Sequence, residues 1–459
     1  MSSPANQRGT WNRKLGFILA TAGSAVGLGN IWRFPTMVGE SGGAAFVVLY
    51  AAFVLVLGVP IMLATLAIGR HTQCNPVGAL RRLAPGSRWP IVGGFCVCTS
   101  LAILSYYSVI ASWSLGYVIP TLSGKFRDLA EPVAVTQVFE QMHENRWRTL
   151  GLLAVFLGLT TTAVAGGIRS GIERWCNVLM PMLLGILLLL VFRSITLAGA
   201  DEGLAFYLTP DFSQVTPLTL LNAMSQAFFS LSLGMGIMIT YGSYLSKEHN
   251  LITSAFWIAG VDTLVAFLAG FAIFPALFTI EGLAPDAGPE LVFLVLPNVF
   301  GHIAGGAFFG AGFFVLLTLA ALTSTISLAE VVVAYVIDQW NWPRSRAVVA
   351  VGGVAFALAI PSALSAGTAS IFSELPLIHQ SFLDLMDLLF GKLALTVGAL
   401  LLCLFVGWRW GADNALAELE AGGPICWIRK PWRILICYLC PAVIAVLFVT
   451  LIVQLIGTD

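Results

Sequence analysis

The chain has 459 residues, of which 58% are hydrophobic and 10% are charged. Because a soluble domain carries about 25% charged residues, this composition excludes a water-soluble globular protein and predicts that lipid surrounds much of the surface. The formal net charge of +0 gives no indication of a nucleic-acid partner.

Eleven segments are apolar over the roughly 20 residues that a membrane-spanning helix needs. No stretch between them is long enough for a separate soluble domain. The sequence therefore predicts an all-α, polytopic membrane protein with a single transmembrane domain over 1–459. The spans are predicted, in chain order, at 13–37, 43–69, 90–120, 148–166, 172–196, 217–244, 251–280, 307–338, 345–361, 377–408 and 433–456.

Lys and Arg are concentrated before the first span and after each even-numbered span, as at Arg8, Arg70 and Arg344. The connections on the other face carry more acids, such as Asp201 and Asp286. Since cytoplasmic loops carry the excess of basic residues, we expect the N-terminus inside. An odd number of spans then leaves the C-terminus outside.

Glycines interrupt the middle of the first and the sixth predicted spans. Gly23, Gly27 and Gly29 lie in the first, and Gly234 and Gly236 lie in the sixth. The two spans have opposite directions, and interrupted helices at corresponding positions of inverted halves indicate a transporter's binding site. Unwound carbonyls suit a cation, and the amide end of the next helix suits a carboxylate. The alternative is that these glycines only allow close helix packing.

Three stretches resemble the first, sixth and eighth helices of the neurotransmitter:sodium symporter family. They read AGSAVGLGNIWRFPT at 22–36, QAFFSLSLGMGI at 226–237 and AALTSTISLA at 320–329. The likeness is to bacterial, leucine-transporter-like members of an eleven-helix subgroup for hydrophobic amino acids, which implies a place in a bacterial cytoplasmic (inner) membrane. The implied fold is a five-plus-five inverted repeat, with helices 1 and 6 broken at mid-membrane and with parts at 13–196, 217–408 and 433–456.

The resemblance also implies that two sodium ions bind beside the substrate. Na⁺ is a hard cation that prefers oxygen ligands. The first ion would contact the substrate carboxylate and oxygen atoms of Ala25, Asn30, Ser230 and Asp262. The second would contact carbonyls and hydroxyls of Gly23, Val26, Ala320, Thr323 and Ser324. The alternative for the two hydroxyls is a bond back to a carbonyl of their own helix.

Asp262 lies within a long apolar run, where an ionisable residue is by default a functional hypothesis. Chloride-dependent members of the family place Cl⁻ near this position. Tyr50, Gln226 and Ser230 match three chloride-site positions, but Ala266 stands where a hydroxyl is needed. We therefore expect the Asp262 carboxylate to supply the negative charge, so that transport needs no chloride. The alternative is a protonated Asp262 with one structural hydrogen bond.

The implied substrate pocket combines both breaks with the third and eighth helices. The N–H groups of Leu28 and Gly29 and the Tyr107 hydroxyl would bind the substrate carboxylate. Monoamine carriers of the family have Asp where Gly27 stands, so we expect an amino acid. The pocket carries no formal charge, which predicts a neutral, hydrophobic or aromatic L-amino acid; for each apolar residue, ordinary helix packing is the alternative. The pocket residues are Ser24, Ala25, Gly27, Leu28, Gly29, Ile103, Tyr107, Phe229, Ser230, Ser232, Met235, Ser324 and Leu328.

Two charges in apolar surroundings predict an extracellular gate, because each needs a partner. Arg33 follows the first break, and Asp387 lies in the tenth span. We expect these two to pair, with Asp384 as the alternative partner. Tyr107 and Phe229 would form an aromatic lid beneath them.

A second gate is predicted on the cytoplasmic side. Arg8 and Asp338 would pair there, with Trp11 and Tyr244 nearby; the alternative is that Asp338 is a plain interfacial residue. In the fifth span, Gly171 and Pro181 are separated by nine residues. In bacterial relatives this arrangement lets the helix unwind, and here Pro181 removes a backbone hydrogen bond; the alternative is a routine kink of a membrane helix.

Two rival functions stay open at this point. A proton-coupled amino-acid permease would use Asp262 as the proton carrier, and a non-transporting amino-acid receptor could share the fold. An enzyme is not expected, because the five histidines have neither a neighbouring nucleophile nor metal-ligand spacing. The oligomeric state is not predicted.

Overall fold

The computed structural model describes residues 11, 14–126, 145–279, 291–365, 371–375, 380–423 and 428–456. Every regular element in these ranges is a helix. The helices are α1 (Lys14–Ala25), α2 (Gly29–Glu40), α3 (Ala44–Thr72), α4 (Pro76–Leu83), α5 (Pro90–Leu122), α6 (Arg146–Ala165), α7 (Ile168–Ile195), α8 (Ala200–Leu208), α9 (Pro217–Ser230), α10 (Ile237–Gly242), α11 (Leu251–Leu277), α12 (Val292–His302), α13 (Gly306–Trp340), α14 (Arg344–Leu364), α15 (Phe382–Glu420) and α16 (Arg429–Val453).

Within the described ranges, nine helices are long and apolar enough to cross a membrane, and α1 with α2 forms a tenth, bent span. The predicted sixth span appears as α9 and α10, of 14 and 6 residues, each too short to cross alone. The all-α membrane fold is confirmed. The count of eleven spans and the division into two repeats remain predictions.

Several helices begin where a short polar side chain accepts a hydrogen bond from the first turn. The side chains of Asn145, Asn250 and Ser381 accept from the amides of the third residue beyond them, at distances of 3.0–3.1 Å. Thr216 forms a reciprocal pair with Thr219 before α9. These caps satisfy amides that have no partner within the helix, and they fix the starts of α6, α9, α11 and α15.

Helices α5 and α13 form the centre of the bundle. In their most apolar 18-residue windows, 72% and 67% of residues are buried, against 28% for α16. Gly310 shows how closely they approach, because a Cβ built there would lie 2.7 Å from the Thr121 methyl carbon. Since lipid gives helices no hydrophobic reason to associate, such close contacts between small residues hold the bundle together.

A buried ion pair joins α3 to the last turns of α15. Arg70 Nε lies 2.6 Å from a carboxylate oxygen of Glu418, and both side chains are almost wholly buried. Arg70 also donates to the carbonyls of Glu418 and His249. The predicted tenth span ended at 408, but α15 continues to Glu420, past Gly411, whose φ is 97°. The extension brings Glu418 to Arg70.

Glu418→Ala should destabilise the protein by about 3–5 kcal/mol, because it leaves a buried guanidinium without its carboxylate. A thermal-unfolding series in detergent measures this effect. The matched control is Glu420→Ala, whose partner Arg429 is half-exposed at 3.2 Å, and we expect a loss of about 0.5 kcal/mol or less there. Equal shifts for the two variants would contradict a structural role for the Arg70–Glu418 pair.

Candidate functional site

The first helix is broken at the predicted glycines. Helix α1 ends at Ala25, α2 begins at Gly29, and the two axes differ by 49°. The amides freed by the break have side-chain partners: Gly27 N–H donates to Asn30 Oδ1 at 3.0 Å, and Leu28 N–H donates to the Tyr107 hydroxyl at 2.7 Å. The predicted break is confirmed, and it exposes backbone amides toward α5.

The second break separates α9 from α10. Ser232, Gly234 and Gly236 have φ values of 54°, 80° and 82°, in the left-handed region that favours glycine. A Cβ on Gly234 would overlap the carbonyl oxygen of Leu395, so the tenth span presses directly on the unwound backbone. Ser100 donates to the Met235 carbonyl at 2.5 Å. This break is also confirmed, and its polar groups have protein partners.

The two breaks face each other across a small cavity. Ser232 Oγ donates to the Ser24 carbonyl at 3.2 Å, which joins one break to the other. The cavity has a volume of about 20 Å³, roughly the space of one water molecule. Its lining comprises Ser24, Ala25, Gly27, Gly29, Ile103, Tyr107, Phe229, Ser232, Met235, Ile237, Ser324 and Leu328.

Two residues predicted for the pocket do not line this cavity, and one lining residue was not predicted. Leu28 is fully buried and contributes its amide, while Ser230 turns toward Asp262. Ile237 was missed because it follows the glycine cluster and reads as an ordinary helix residue. It is the first residue of α10, and the turn at Gly236 directs it to the pocket. Its position directly after Gly236 is the sequence feature that could have indicated a place in the pocket.

Asp262 lies at the centre of a buried polar cluster. Its carboxylate accepts from Asn30 Nδ2 at 2.8 Å, from the Tyr50 hydroxyl at 3.1 Å and from Ser230 Oγ at 2.7 Å. All three donors are neutral. In the described part of the chain, no Lys or Arg forms an ion pair with this carboxylate. Gln226 extends the cluster by donating to the Gly29 carbonyl at 2.7 Å.

The cluster gathers the side chains predicted for the first sodium site. Asn30, Ser230 and Asp262 are in mutual hydrogen-bond contact, and Ala25 lies at the adjacent break. Asn30 directs its amide oxygen to Gly27 and its amide nitrogen to Asp262. Carboxyl, amide and hydroxyl oxygens are ligands that a hard cation accepts, so the residues present fit a sodium ion.

A second group of oxygen atoms lies where α1 meets α13. Thr323 Oγ1 is 3.3 Å from the Val26 carbonyl oxygen and 2.9 Å from the Ala320 carbonyl oxygen. A Cβ on Gly23 would lie 3.5 Å from the Thr323 Cβ, so these four residues are neighbours. The Ser324 hydroxyl instead donates to the Ser24 carbonyl at 3.1 Å. Thr323 thus bonds to a carbonyl of its own helix, which is the alternative named above, and the second sodium site stays a prediction.

The structure contains the predicted contact between the two lid residues but not the predicted ion pair above it. Tyr107 and Phe229 lie with ring centroids 6.4 Å apart. The structure does not bring Arg33 into an ion pair with Asp387. The Arg33 guanidinium lies over the Phe229 ring at 4.5 Å, its terminal nitrogens have no hydrogen-bond partner, and Asp387 accepts from Tyr106 at 3.0 Å. In this structure Arg33 therefore stacks on the lid, and the predicted pair with Asp387 is not formed.

The alternative acid on the same helix does not reach Arg33 either. At the start of α15, the Asp384 carboxylate accepts from the Ser381 hydroxyl at 2.6 Å, and the Asp384 amide donates to the same hydroxyl at 3.1 Å. At the second predicted gate, Arg8 lies outside the described residues, so its pair with Asp338 is not tested. Asp338 accepts from Asn75 Nδ2 at 2.7 Å, and Trp11 Nε1 donates to the Tyr241 carbonyl at 3.2 Å.

The predicted Gly171-x9-Pro181 element lies near the start of α7. Gly171 belongs to a wide helical turn over Ile168–Glu173, and Pro181 lies inside the regular helix that follows. A Cβ on Gly171 would overlap the carbonyl oxygen of Ala163. Here the glycine allows the last turn of α6 to contact α7, and the predicted unwinding of the helix stays a prediction.

Comparison with known proteins identifies the family to which this chain belongs. The model of the sodium:neurotransmitter symporter family matches residues 8–130 and 128–458. YhdH, an uncharacterized sodium-dependent transporter of Bacillus subtilis, is 38% identical over 445 residues, covering 96% of this chain and 97% of the relative. An uncharacterized sodium-dependent transporter of Haemophilus influenzae is 36% identical over 461 residues, covering 98% of this chain and 99% of the relative.

A solved structure agrees with these sequence matches. The crystal structure of MhsT in complex with L-phenylalanine is similar with a TM-score of 0.89 and 42% identity, covering 97% of this chain and 100% of MhsT. The chain therefore belongs to the sodium:neurotransmitter symporter family and is a sodium-dependent membrane transporter rather than an enzyme.

Proposed function

We propose that this transporter imports a neutral, hydrophobic or aromatic L-amino acid together with sodium, by alternating access. The observation that carries the proposal is the cavity between the two helix breaks. Its lining combines polar groups at the first break, including the Tyr107 hydroxyl beside the Leu28 amide, with apolar side chains. An amino acid has this same division into a charged backbone part and an apolar side chain.

The amides of the first break are suited to the substrate carboxylate. Leu28 N–H and the Tyr107 hydroxyl are 2.7 Å apart. They lie at the N-terminal end of α2, where the helix dipole is positive. A carboxylate placed there would accept from both groups. It would also lie beside Asn30 and Ala25, where it could complete the ligand set of the first sodium ion. Sodium and substrate would then each strengthen the binding of the other.

The apolar wall sets the preference for the side chain. Ile103, Ile237 and Leu328 line it, and none of the 12 lining residues is charged. A charged substrate side chain would be buried there without a partner, at a cost of several kcal/mol. An aliphatic or aromatic side chain has no such cost. L-phenylalanine in the similar MhsT structure supports this size class.

The pocket must enlarge before a substrate of this size can enter. A volume of about 20 Å³ is too small for any side chain of the proposed class. Phe229 closes the cavity beneath Arg33, and Met235 lies on the unwound segment. Met is unbranched and adapts its shape readily, so movement of these two side chains is the simplest route. Opening on one face and then on the other constitutes the proposed alternating access.

Two further parts of the proposal concern the ions and the membrane. Transport is expected without chloride, because Asp262 already places a carboxylate among Tyr50, Ser230 and Asn30. Two sodium ions are proposed from the two groups of oxygen ligands. The concentration of Lys and Arg on one face supports an N-terminus inside and a C-terminus outside, in a bacterial inner membrane.

Tracer uptake into proteoliposomes tests the proposal. We expect accumulation of leucine, phenylalanine or tryptophan with an inward sodium gradient, and loss of accumulation when choline replaces sodium at constant pH. Competition by unlabelled arginine or glutamate should be weak. Accumulation that persists in choline and follows a pH gradient would favour a proton-coupled permease. Sodium-dependent binding without accumulation would favour a receptor.

A further inference from the structure

A groove on the lipid-facing surface lies between α6 and α14, away from the transport site. Its volume is about 520 Å³, and it opens to the side of the bundle. Small residues on both helices form it. The lining comprises Ala154, Leu157, Gly158, Thr161, Thr162, Ala165, Ser345, Val348, Val349, Gly352, Gly353 and Phe356.

The helices that form the groove are held at a fixed separation. A Cβ on Gly352 would lie 2.6 Å from the Thr161 methyl carbon, so the two helices touch there. Arg344 donates to the Val164 carbonyl at 2.8 Å and forms an ion pair with the buried Glu330. These contacts tie the start of α14 to the end of α6. The groove is therefore a stable feature that side-chain movement alone does not close.

The length of the groove matches one leaflet of a bilayer. It runs from Ala165 to Ala154 on α6 and from Ser345 to Phe356 on α14. Eleven residues of helix cover roughly 16 Å, and half of the hydrocarbon thickness is about 15 Å. An extended acyl chain that enters at the Ala165–Ser345 end would be accommodated along its whole length.

Positive charge marks the same end of the groove. Arg346 is exposed, and its guanidinium lies 4.3 Å from the Trp342 ring centroid. Arg346, Val349 and Gly353 follow one another at helical spacing on one face of α14, so this face leads from the cation into the groove. Helices α6 and α14 contain no acidic residue, and the nearby Glu330 is already paired with Arg344.

We propose that this groove binds one anionic phospholipid, with an acyl chain along the small residues and the phosphate at Arg346. The groove supplies close van der Waals contact for the acyl chain, because a chain that is already in hydrocarbon gains no hydrophobic transfer energy. The arginine supplies the preference for a negative headgroup. Neither part depends on which substrate is transported.

The test measures lipid retained by the full-length protein. Protein in detergent is equilibrated with equal amounts of phosphatidylglycerol and phosphatidylethanolamine that carry the same acyl chains, and bound lipid is counted by native mass spectrometry. We expect one phosphatidylglycerol per chain. Gly353→Leu fills the groove from a position with nothing within 4 Å of its Cβ, and the lost packing contacts should lower retention about tenfold. Arg346→Gln should lower the preference for phosphatidylglycerol about fivefold.

Matched variants keep the test decisive. Gly185→Leu makes the same exchange at an open, exposed position of α7 outside the groove, and retention should be unchanged. Gly158→Leu is a second filling variant, also with nothing within 4 Å, for use if Gly353→Leu does not fold. Equal retention in a folded filling variant, or an unchanged lipid preference in Arg346→Gln, would overturn the proposal. So would a dimer that the filling variant dissociates without loss of lipid, since the groove would then join two copies of the chain.

Discussion

Asp262→Ala should lower sodium-dependent uptake about a hundredfold in chloride-free buffer, because it removes the acceptor shared by three buried donors together with a charged ion ligand. Asn30, Tyr50 and Ser230 would each lose a hydrogen bond of 2.7–3.1 Å in a site that water does not reach. Uptake by the unmodified protein should be the same in chloride and in gluconate. The measurement is initial-rate uptake in proteoliposomes with each anion.

Added chloride provides a second result from the same variant. The three donors freed by Asp262→Ala could bind an anion, so chloride should restore part of the lost uptake. Ser254→Ala is the control, since this residue lies on the same helix and only donates to the carbonyl of Asn250. Uptake by the unmodified protein that falls to background in gluconate would contradict the assigned role of Asp262. Full activity of the alanine variant without chloride would contradict it equally.

Gly27→Ala should weaken substrate binding by about tenfold to a hundredfold, because the added methyl group overpacks the site. Its Cβ would lie 2.6 Å from the Tyr107 hydroxyl and would also overlap Ser324 Oγ. Both groups border the cavity, whose volume of about 20 Å³ leaves little room for them to move. The Tyr107 hydroxyl would be displaced from the Leu28 amide. Equilibrium binding of a labelled amino acid in saturating sodium measures the effect.

The control for this substitution is another glycine within a membrane helix. Gly260 lies in α11, and a Cβ there would have nothing within 4 Å. Gly260→Ala should therefore leave affinity unchanged. If Gly27→Ala binds substrate as tightly as the unmodified protein, the cavity between the breaks is not the substrate site. Thermal unfolding of both variants checks that a lost affinity does not reflect a lost fold.

The helix breaks were predictable because their cause is local. Gly234 and Gly236 adopt φ values of 80° and 82°. Residues other than glycine rarely adopt these values, because of their Cβ. A glycine cluster in the middle of an apolar span is visible without any knowledge of neighbours. Asp262 was equally visible, because a carboxylate within an apolar run requires an explanation wherever it lies.

The contacts between charged side chains were harder to predict from the sequence. Arg33 and Asp387 were expected to pair because both are charged in apolar surroundings. The structure instead places Arg33 over Phe229 and gives Asp387 a hydrogen bond from Tyr106. Opposite charge describes a tendency to attract, but the distance between two helices decides whether the groups meet. The Arg70–Glu418 pair shows the converse, since it joins residues 348 positions apart and was not predicted.

By itself, the sequence determined that this protein lies in a membrane and which helices unwind, because hydropathy and backbone conformation depend on short stretches of chain. Only the tertiary structure decided that Ile237 enters the pocket, that Arg33 stacks rather than pairs, and that α6 and α14 leave a groove between them. Those outcomes depend on how far apart packed helices lie and how they are rotated. These distances arise from the sum of many contacts across the bundle, so no single segment encodes them.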